Sequence, residues 1–490
     1  MLARTRTSFC KQPRLSLSLR SASTMVTRPA DWKSRAPAPL PNTKTFAGEA
    51  TLPSLPVPDL DASLDRLKNT LRPLARSPEE LKAAESKIEE LRSTGIGKTL
   101  QERLLQRKEE KDKIGSSWLE EWWDDAAYLT YRDPVVINVS YYYGFTPHPA
   151  HLPQTTSHRA AALTRSAMLF RQRFKRGEIT PDATKEGPMC MDTWRWMFDC
   201  CRVPGTDGKD FSVSFAQAGD TGDSGHVVVI RNGRLWRLDA SAPGGGLLGT
   251  EELQKQFEYI YQNSQEKAPD IIKTFNLSPD SWAQLVIQLA FWRLSKTGLV
   301  PGVGKGELVG TYEAATTRKF RKGRTETIRV VSDEVKAFCE GMDSGAPAER
   351  KIALFRDAAR VHIQRAREGG NAMGVDRHMF ACCQVDVEHE LNEGETMPSI
   401  FSDPLYQRAA KWTLSTSAIF SKHFPQYGWG EVVPDGFGVA YMTGYNNRMQ
   451  FTITSRKEMP SAQFREEIKN AGMELYALLS HAQEQAKAKM

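Results

Sequence analysis

Leu414-Ser415-Thr416-Ser417 and, a short aromatic stretch later, Val432-Val433-Pro434-Asp435-Gly436-Phe437-Gly438 decide how the C-terminal part of this chain is read. Three adjacent hydroxylated residues can donate several hydrogen bonds to one anionic centre from a short piece of backbone. A lone Ser-Thr-Ser is ordinarily a helix cap or a turn. The Pro-Asp-Gly-x-Gly that follows argues against that here, and it leads into Gly436–Met442, which with Met449–Ser455 reads as sheet strand. Hydroxyls that cradle an oxyanion need a group that generates one. The string therefore also asks for a catalytic base.

Working outward, Ser278-Pro279-Asp280 supplies an N-cap with proline at the first helical position. The helix it opens, Ser281–Leu294, is apolar on nearly every side and is expected deep in a core. Amphipathic helices are expected at about 347–368 and 460–487, and Arg159–Lys175 and Met191–Phe198 also look helical. Pro134–Val139 and Gly225–Ile230 read as buried strands. Near the N-terminus, the prolines of Leu52–Leu60 impose an extended, polyproline-like path. A charged helical pattern follows from Asp61 to Lys113, broken at Pro78 and Gly95, and Trp118–Tyr131 suggests a helix with a buried aromatic face. Irregular alternation of helices and strands gives an α/β fold class, α+β with mixed sheets.

The chain has 490 residues, 40% apolar and 26% charged, enough for two or three globular domains. No apolar run approaches bilayer-spanning length, so no transmembrane segment is expected. The net charge of +7 is spread among acids instead of concentrated on one segment, which argues against nucleic acid and suits an enzyme of phosphorylated or carboxylated ligands. The seven cysteines include two adjacent pairs, 200–201 and 382–383, and form neither a disulfide framework nor a C-x-x-C metal motif. No metal site is expected. The first 30 residues hold no acid and several arginines among Ser, Thr and Leu, the composition of a mitochondrial transit peptide. A start at Met25 would remove most of it, and Ala488-Lys489-Met490 loosely matches a peroxisomal tripeptide.

Four stretches in order carry a resemblance: Leu52–Leu64, Trp118–Tyr143 with its Tyr-Arg-Asp-Pro, Cys190–Pro204, and most of the chain from Leu277 onward. Together they resemble the carnitine/choline acyltransferase family, and within it the fungal acetyl-transferring members. The resemblance implies reversible transfer of a short acyl group between coenzyme A and carnitine. It implies two domains of the chloramphenicol-acetyltransferase-like fold, with coenzyme A or acetyl-CoA as co-substrate, no permanently bound cofactor, and a monomer. It divides the chain into a transit peptide at 1–30, an N-terminal acyltransferase region at 48–262 that is truncated at its end, and a C-terminal domain at 277–482. Mitochondrial location follows, or peroxisomal from the shorter start.

Residue by residue, the resemblance makes Tyr312, Thr325 and Arg377 the receptors of the carnitine carboxylate, and arginine at 377 favours carnitine over choline, which has no carboxylate. Ser417 is the expected donor to the tetrahedral oxyanion, with Ser415 beside it. Trp429 lines the carnitine pocket, and a bulky Tyr427 in the acyl pocket favours acetyl or propionyl over palmitoyl. Lys273 and Asp280 match positions that contact coenzyme A.

The family's catalytic histidine belongs in an acid-rich segment that should lie between Gln262 and Leu277. Residues 263–276 contain no histidine, so a block carrying the base is missing. None of the nine histidines (148, 151, 158, 226, 362, 378, 389, 423 and 481) follows a catalytic pattern. A second departure is Lys296–Gly306, a glycine-rich run without the order of a phosphate loop, which reads as translated intron or a disordered insert. Three readings follow: an acyltransferase by descent that lost its catalytic block, a non-catalytic paralogue that binds carnitine or coenzyme A or serves as an interaction protein, or an enzyme using another base such as His226 or Asp435. Strands left without partners predict low solubility.

Overall fold

The computed structural model describes residues 27–35, 43–130, 141–206, 208–216, 219–231, 234–264, 279–388, 396–419, 421, 424, 426–445 and 448–488. The fold is mixed α/β. Strands are β1 Tyr142–Gly144, β2 Ala183–Thr184, β3 Gly187–Pro188, β4 Cys200–Val203, β5 Phe211–Ser214, β6 His226–Arg231, β7 Arg234–Asp239, β8 Thr311–Thr316, β9 Thr325–Arg329, β10 Leu414–Ala418, β11 Gln426–Gly428, β12 Phe437–Tyr445 and β13 Arg448–Thr454. Two compact units form, Met1–Leu52 with Pro147–Ile271, and Pro53–Thr146 with Ile272–Met490.

The first unit pairs the helices Thr156–Lys175 and Thr250–Gln262 over the β6–β7 hairpin. Its core joins Met168, Trp236, Leu238, Leu253, Phe257 and Ile260. The strand expected at Gly225–Ile230 forms as β6, but it is not buried: Val228 and Ile230 are 54% and 67% exposed. Only Val227 and Val229 turn towards the core, because side chains alternate along a strand and one face of the β6–β7 hairpin packs on that cluster. Met191–Phe198 shortens to a 3-10 turn at Asp192–Trp196. The strand expected at Pro134–Val139 lies outside the described residues.

The second unit is built on a five-stranded sheet in the order β13-β12-β10-β8-β9, parallel at its centre and antiparallel at both edges. The helix Pro279–Lys296 supports it, with Ala283, Leu285, Val286, Ile287, Leu289, Ala290, Phe291 and Leu294 all fully buried, as its all-round apolar sequence predicts. Its expected cap, Ser278, lies outside the described residues. The helices Ala348–Gly370 and Ser461–Ala488 cover the same core.

The N-terminal helical pattern divides where predicted, into Leu60–Leu71, Pro78–Ser93 and Gly95–Lys113. Asp59 and Ser77 cap the first two through side-chain oxygens. Leu64, Leu67, Leu71, Ile88 and Leu91 join the same cluster as the Pro279–Lys296 helix, so residues 53–146 complete the core of the C-terminal segment. Trp118 and Trp122 are buried as expected, but the helix is only Glu120–Asp124, it runs into a π-turn at Asp125–Leu129, and Tyr128 is exposed.

The run Lys296–Gly306 is ordered, against the expectation of a disordered insert. Gly298, Gly302 and Gly306 take φ of 73°, 71° and 71°, which glycine adopts without steric cost. These turns fold the run back so that Val300 is buried in the main core.

Candidate active site

The strand β10 sits between β8 and β12 with Ser415 opposite Tyr312 and Gly438, and Ser417 opposite Ala440. Side chains alternate along a strand, so Ser415 and Ser417 share one face of the sheet while Thr416 points to the other. The Ser-Thr-Ser string therefore does not offer three hydroxyls to one centre. Thr416 is a core residue: its hydroxyl donates to the Tyr312 carbonyl at 2.7 Å and accepts from the Gln284 amide at 2.8 Å. The Pro-Asp-Gly turn seats this geometry through close backbone approach, because a Cβ on Gly438 would meet Thr454 Oγ1 at 2.6 Å and the Gly430 carbonyl at 2.7 Å. Asp435 forms an ion pair with Lys411.

On the serine face, Tyr312, Thr325 and Arg377 come together. Tyr312 Oη lies 3.5 Å from Thr325 Oγ1. Arg377, 5% exposed, opens the helix Asp376–Glu388 and reaches over β9. Its guanidinium donates to the Thr325 carbonyl at 2.7 Å, to Thr325 Oγ1 at 3.2 Å and to Thr327 Oγ1 at 3.3 Å, and stacks 3.6 Å from the centre of the Trp123 ring. No carboxylate forms an ion pair with it among the described residues. Its sequence neighbour Asp376 pairs with Arg329 instead, and Glu326 points to the opposite side of β9, where it accepts from the backbone N–H groups of Thr327 (2.6 Å) and Arg377 (3.3 Å). Complete burial pushes the Glu326 carboxyl up to about 7 although the Arg377 charge opposes this.

Tyr427 and Trp429 lie beside Ser417. Tyr427 is buried and donates its hydroxyl to the Ser417 carbonyl. Its ring is 5.6 Å from that of Trp429, which in turn lies 5.5 Å from Tyr141, and both pack against Ala440 and Met442. An aromatic wall thus flanks the half-buried Ser417, while Ser415 is buried.

Asp280 stands apart from this group, on the first turn of the helix behind the sheet. Desolvation and then the neighbouring Glu313 raise its carboxyl, with Tyr441 and His362 opposing. The residue is open to water, which screens much of that effect. Lys273 lies outside the described residues.

Behind the sheet the sequence hid a buried polar chain. His362 Nε2 lies 2.6 Å from Glu313 Oε2 and its Nδ1 2.8 Å from Ser281 Oγ. Glu313 Oε1 accepts from Tyr441 at 2.8 Å, and the Tyr441 oxygen accepts from Gln284 at 3.0 Å. Desolvation works against the imidazolium, but Glu313 and Asp280 outweigh it and hold the His362 pKa above its ordinary value. The only advance signal was the place of His362 on the inward face of an amphipathic helix. Its ring is fully engaged on the face away from Ser415 and Ser417, and so cannot serve them as a base. His378, next to Arg377, is also engaged: its nitrogens lie 2.8 Å from Ser63 Oγ and 2.8 Å from Gln101 Oε1, and burial pulls its pKa down to about 4. His148, His151, His158 and His226 belong to the first unit. His389 and His423 lie outside the described residues, as does the side chain of His481.

Two hydroxyls that accept from the Arg377 guanidinium, a serine pair on the same face of the sheet and an aromatic wall beside it suit a ligand that carries a carboxylate. A family model described as choline/carnitine O-acyltransferase matches residues 55–271 and 267–470. The chain is 24% identical to the mitochondrial carnitine O-acetyltransferase of Saccharomyces cerevisiae over 578 residues, covering 81% of this chain and 83% of the relative. It is 22% identical to the carnitine O-acetyltransferase of Columba livia, covering 80% and 87%. It is 30% identical over 247 residues to the peroxisomal carnitine O-octanoyltransferase of Rattus norvegicus, covering 49% and 39%.

Proposed function

The chain belongs to the choline/carnitine O-acyltransferase family, and on that premise we propose that it is a carnitine O-acetyltransferase by descent that keeps the carnitine receptor and has lost the catalytic base. The observation that carries this is Arg377: a buried cation with neutral oxygens and a tryptophan face around it, and no ion-paired carboxylate among the described residues. Such a charge is costly unless a ligand anion completes it. The carnitine carboxylate would sit between Arg377, Thr325 and Tyr312. Trp429 would face the trimethylammonium, a cation that binds aromatic faces. Ser417, with Ser415 beside it, would donate to the oxyanion, and the bulk of Tyr427 would confine the acyl group to acetyl or propionyl. Lys273 and Asp280 remain the proposed contacts to coenzyme A.

Three observations support loss of a block. The family match falls into two stretches that meet at residues 267–271, within the Gln262–Leu277 segment where the base is expected. The alignment to the yeast relative runs over 578 residues, more than the 490 of this chain, so the relative carries residues without counterparts here. The outer face of the β6–β7 hairpin leaves Val228, Ile230 and Leu235 exposed, as expected of strands that have lost a covering partner. We assign the second unit to the C-terminal half of the chloramphenicol-acetyltransferase-like architecture, a mixed sheet backed by helices. The acid-free leader supports import into mitochondria, where the yeast relative is found.

Calorimetry on the 490-residue chain should show carnitine binding with little choline binding, and carnitine-dependent thiol release from acetyl-CoA should be absent or far below that of a full-length relative. Turnover near the relative's rate would refute loss of the base. Absence of carnitine binding would refute the receptor. Transcript reads across Gln262–Leu277 then separate a loss fixed in the gene from a rearranged message.

A further inference from the structure

A cleft of about 290 Å³ lies in the second unit between the helix Leu60–Leu71, strand β9 and the helix Ala348–Gly370. Of the residues around the proposed carnitine and acyl sites, Thr327, which accepts from Arg377, also lines it; Tyr312, Thr325, Arg377, Ser417, Tyr427 and Trp429 do not. Four arginines do: Arg66, Arg72, Arg329 and Arg365. Two are neutralised. Arg72 pairs with Asp333 at 2.8 Å, and Arg329 forms a bidentate pair with Asp376 at 2.8 and 2.9 Å.

The other two are less completely paired. Arg66 approaches Glu368 only to 3.9 Å through Nε, and its Nη1 is buried with no hydrogen-bond partner. Arg365 directs Nη1 at the carbonyls of Arg329 (2.7 Å) and Val331 (2.6 Å), and among the described residues no carboxylate lies within ion-pair distance of it. We propose that this cleft binds a small oxyanion, a carboxylate or a phosphate, received by Arg365 and Arg66.

A buried donor without an acceptor is costly, and a guanidinium recovers most when its fork meets two oxygens of one anion. Desolvation lowers the Arg365 pKa to about 10, even though Glu334 pulls the other way, and the guanidinium still carries its charge at neutral pH. A bound anion would reverse that shift. The volume is at the small end for ligand sites, which suits a metabolite-sized anion and not a coenzyme. Asp333, Glu334 and Glu368 also face the cleft, so its overall charge is small and long-range attraction is weak. Capture then depends on direct guanidinium contacts, and affinity should be on the order of 1 mM.

The test uses the full chain, with sodium succinate and inorganic phosphate as probes and sodium chloride at matched ionic strength as reference. At ten times its Kd, the bound anion should raise the melting temperature by about 1–2 °C. Binding should weaken at least about tenfold in Arg66→Gln and disappear in Arg365→Gln. It should be unchanged in Lys98→Gln, which removes an exposed charge elsewhere, and should survive Arg377→Asn, which separates this cleft from the carnitine receptor. A stronger response to succinate assigns a carboxylate ligand, and a stronger response to phosphate assigns a phosphorylated one. If neither anion exceeds chloride at about 50 mM, or if Arg66→Gln binds as the parent does, the proposal fails. Should Arg365→Gln unfold through loss of its two backbone contacts, Arg66→Gln decides, since Arg66 Nη1 has no hydrogen bond to lose.

Discussion

Arg377 combines two conditions that rarely coexist, near-complete burial and no paired carboxylate among the described residues. Hydrogen bonds to a charged group contribute about 1.5–3 kcal/mol, so Arg377→Asn should lower carnitine affinity by roughly tenfold to a hundredfold and leave choline unaffected, as read by calorimetry. Two buried histidines give opposite pH signatures. The His378 pKa of about 4 lies below its unfolded value, so its stabilisation is complete above about pH 6.5 and is lost as pH falls towards 4, about 3 kcal/mol in all. The His362 pKa lies above its unfolded value, so its contribution is complete below about pH 6.5 and is lost as pH rises through the folded value. Urea midpoints against pH should lose the acid-side slope in His378→Gln and the alkaline-side slope in His362→Gln. Tyr312, Thr325 and Arg377 were legible in the sequence as a set, through the order of their motifs. Trp123 was legible only as part of an aromatic face, because its stacking on Arg377 joins residues 254 positions apart.

Strand β10 shows what the period of an element does to a motif. Read along the chain, Ser415, Thr416 and Ser417 form one hydroxyl cluster; on a strand they belong to two faces, and the middle one holds the sheet to the helix behind it. Thr416→Val would leave the Gln284 amide and the Tyr312 carbonyl short of partners and should cost about 1–3 kcal/mol in urea unfolding. If stability is unchanged, the relay is not structural. Gly438→Ala forces its Cβ against backbone and Thr454, so loss of soluble protein or a lower midpoint is expected. The β6 strand was found from its valines, yet its burial was misjudged, since a run of β-branched residues specifies a strand without specifying how many neighbours cover it. Val228→Lys with Ile230→Lys should therefore raise solubility, measured by centrifugation, without altering carnitine binding.

Across the whole molecule, residues 53–146 and 272–490 form one unit although more than a hundred residues separate them. Leu64, Leu67 and Leu71 pack in the same core as the Pro279–Lys296 helix, so a fragment of 272–490 alone would expose that core and should be insoluble, whereas joining it to 53–146 should restore cooperative unfolding by circular dichroism. By itself the sequence determined the lineage, the mixed α/β class, the helix breaks at Pro78 and Gly95, and the deeply buried Pro279–Lys296 helix. These are set by local periodicity, turn chemistry and ordered motifs, which a linear string carries. Only the tertiary structure decided that Thr416 faces the core, that Arg377 is buried beside Trp123 without an ion-paired carboxylate among the described residues, that Lys296–Gly306 is ordered, and that Arg66 and Arg365 meet across a cleft. Each of these depends on which distant segment supplies the neighbouring atoms, and burial, charge balance and hydrogen bonding are properties of that neighbourhood, not of the residue alone.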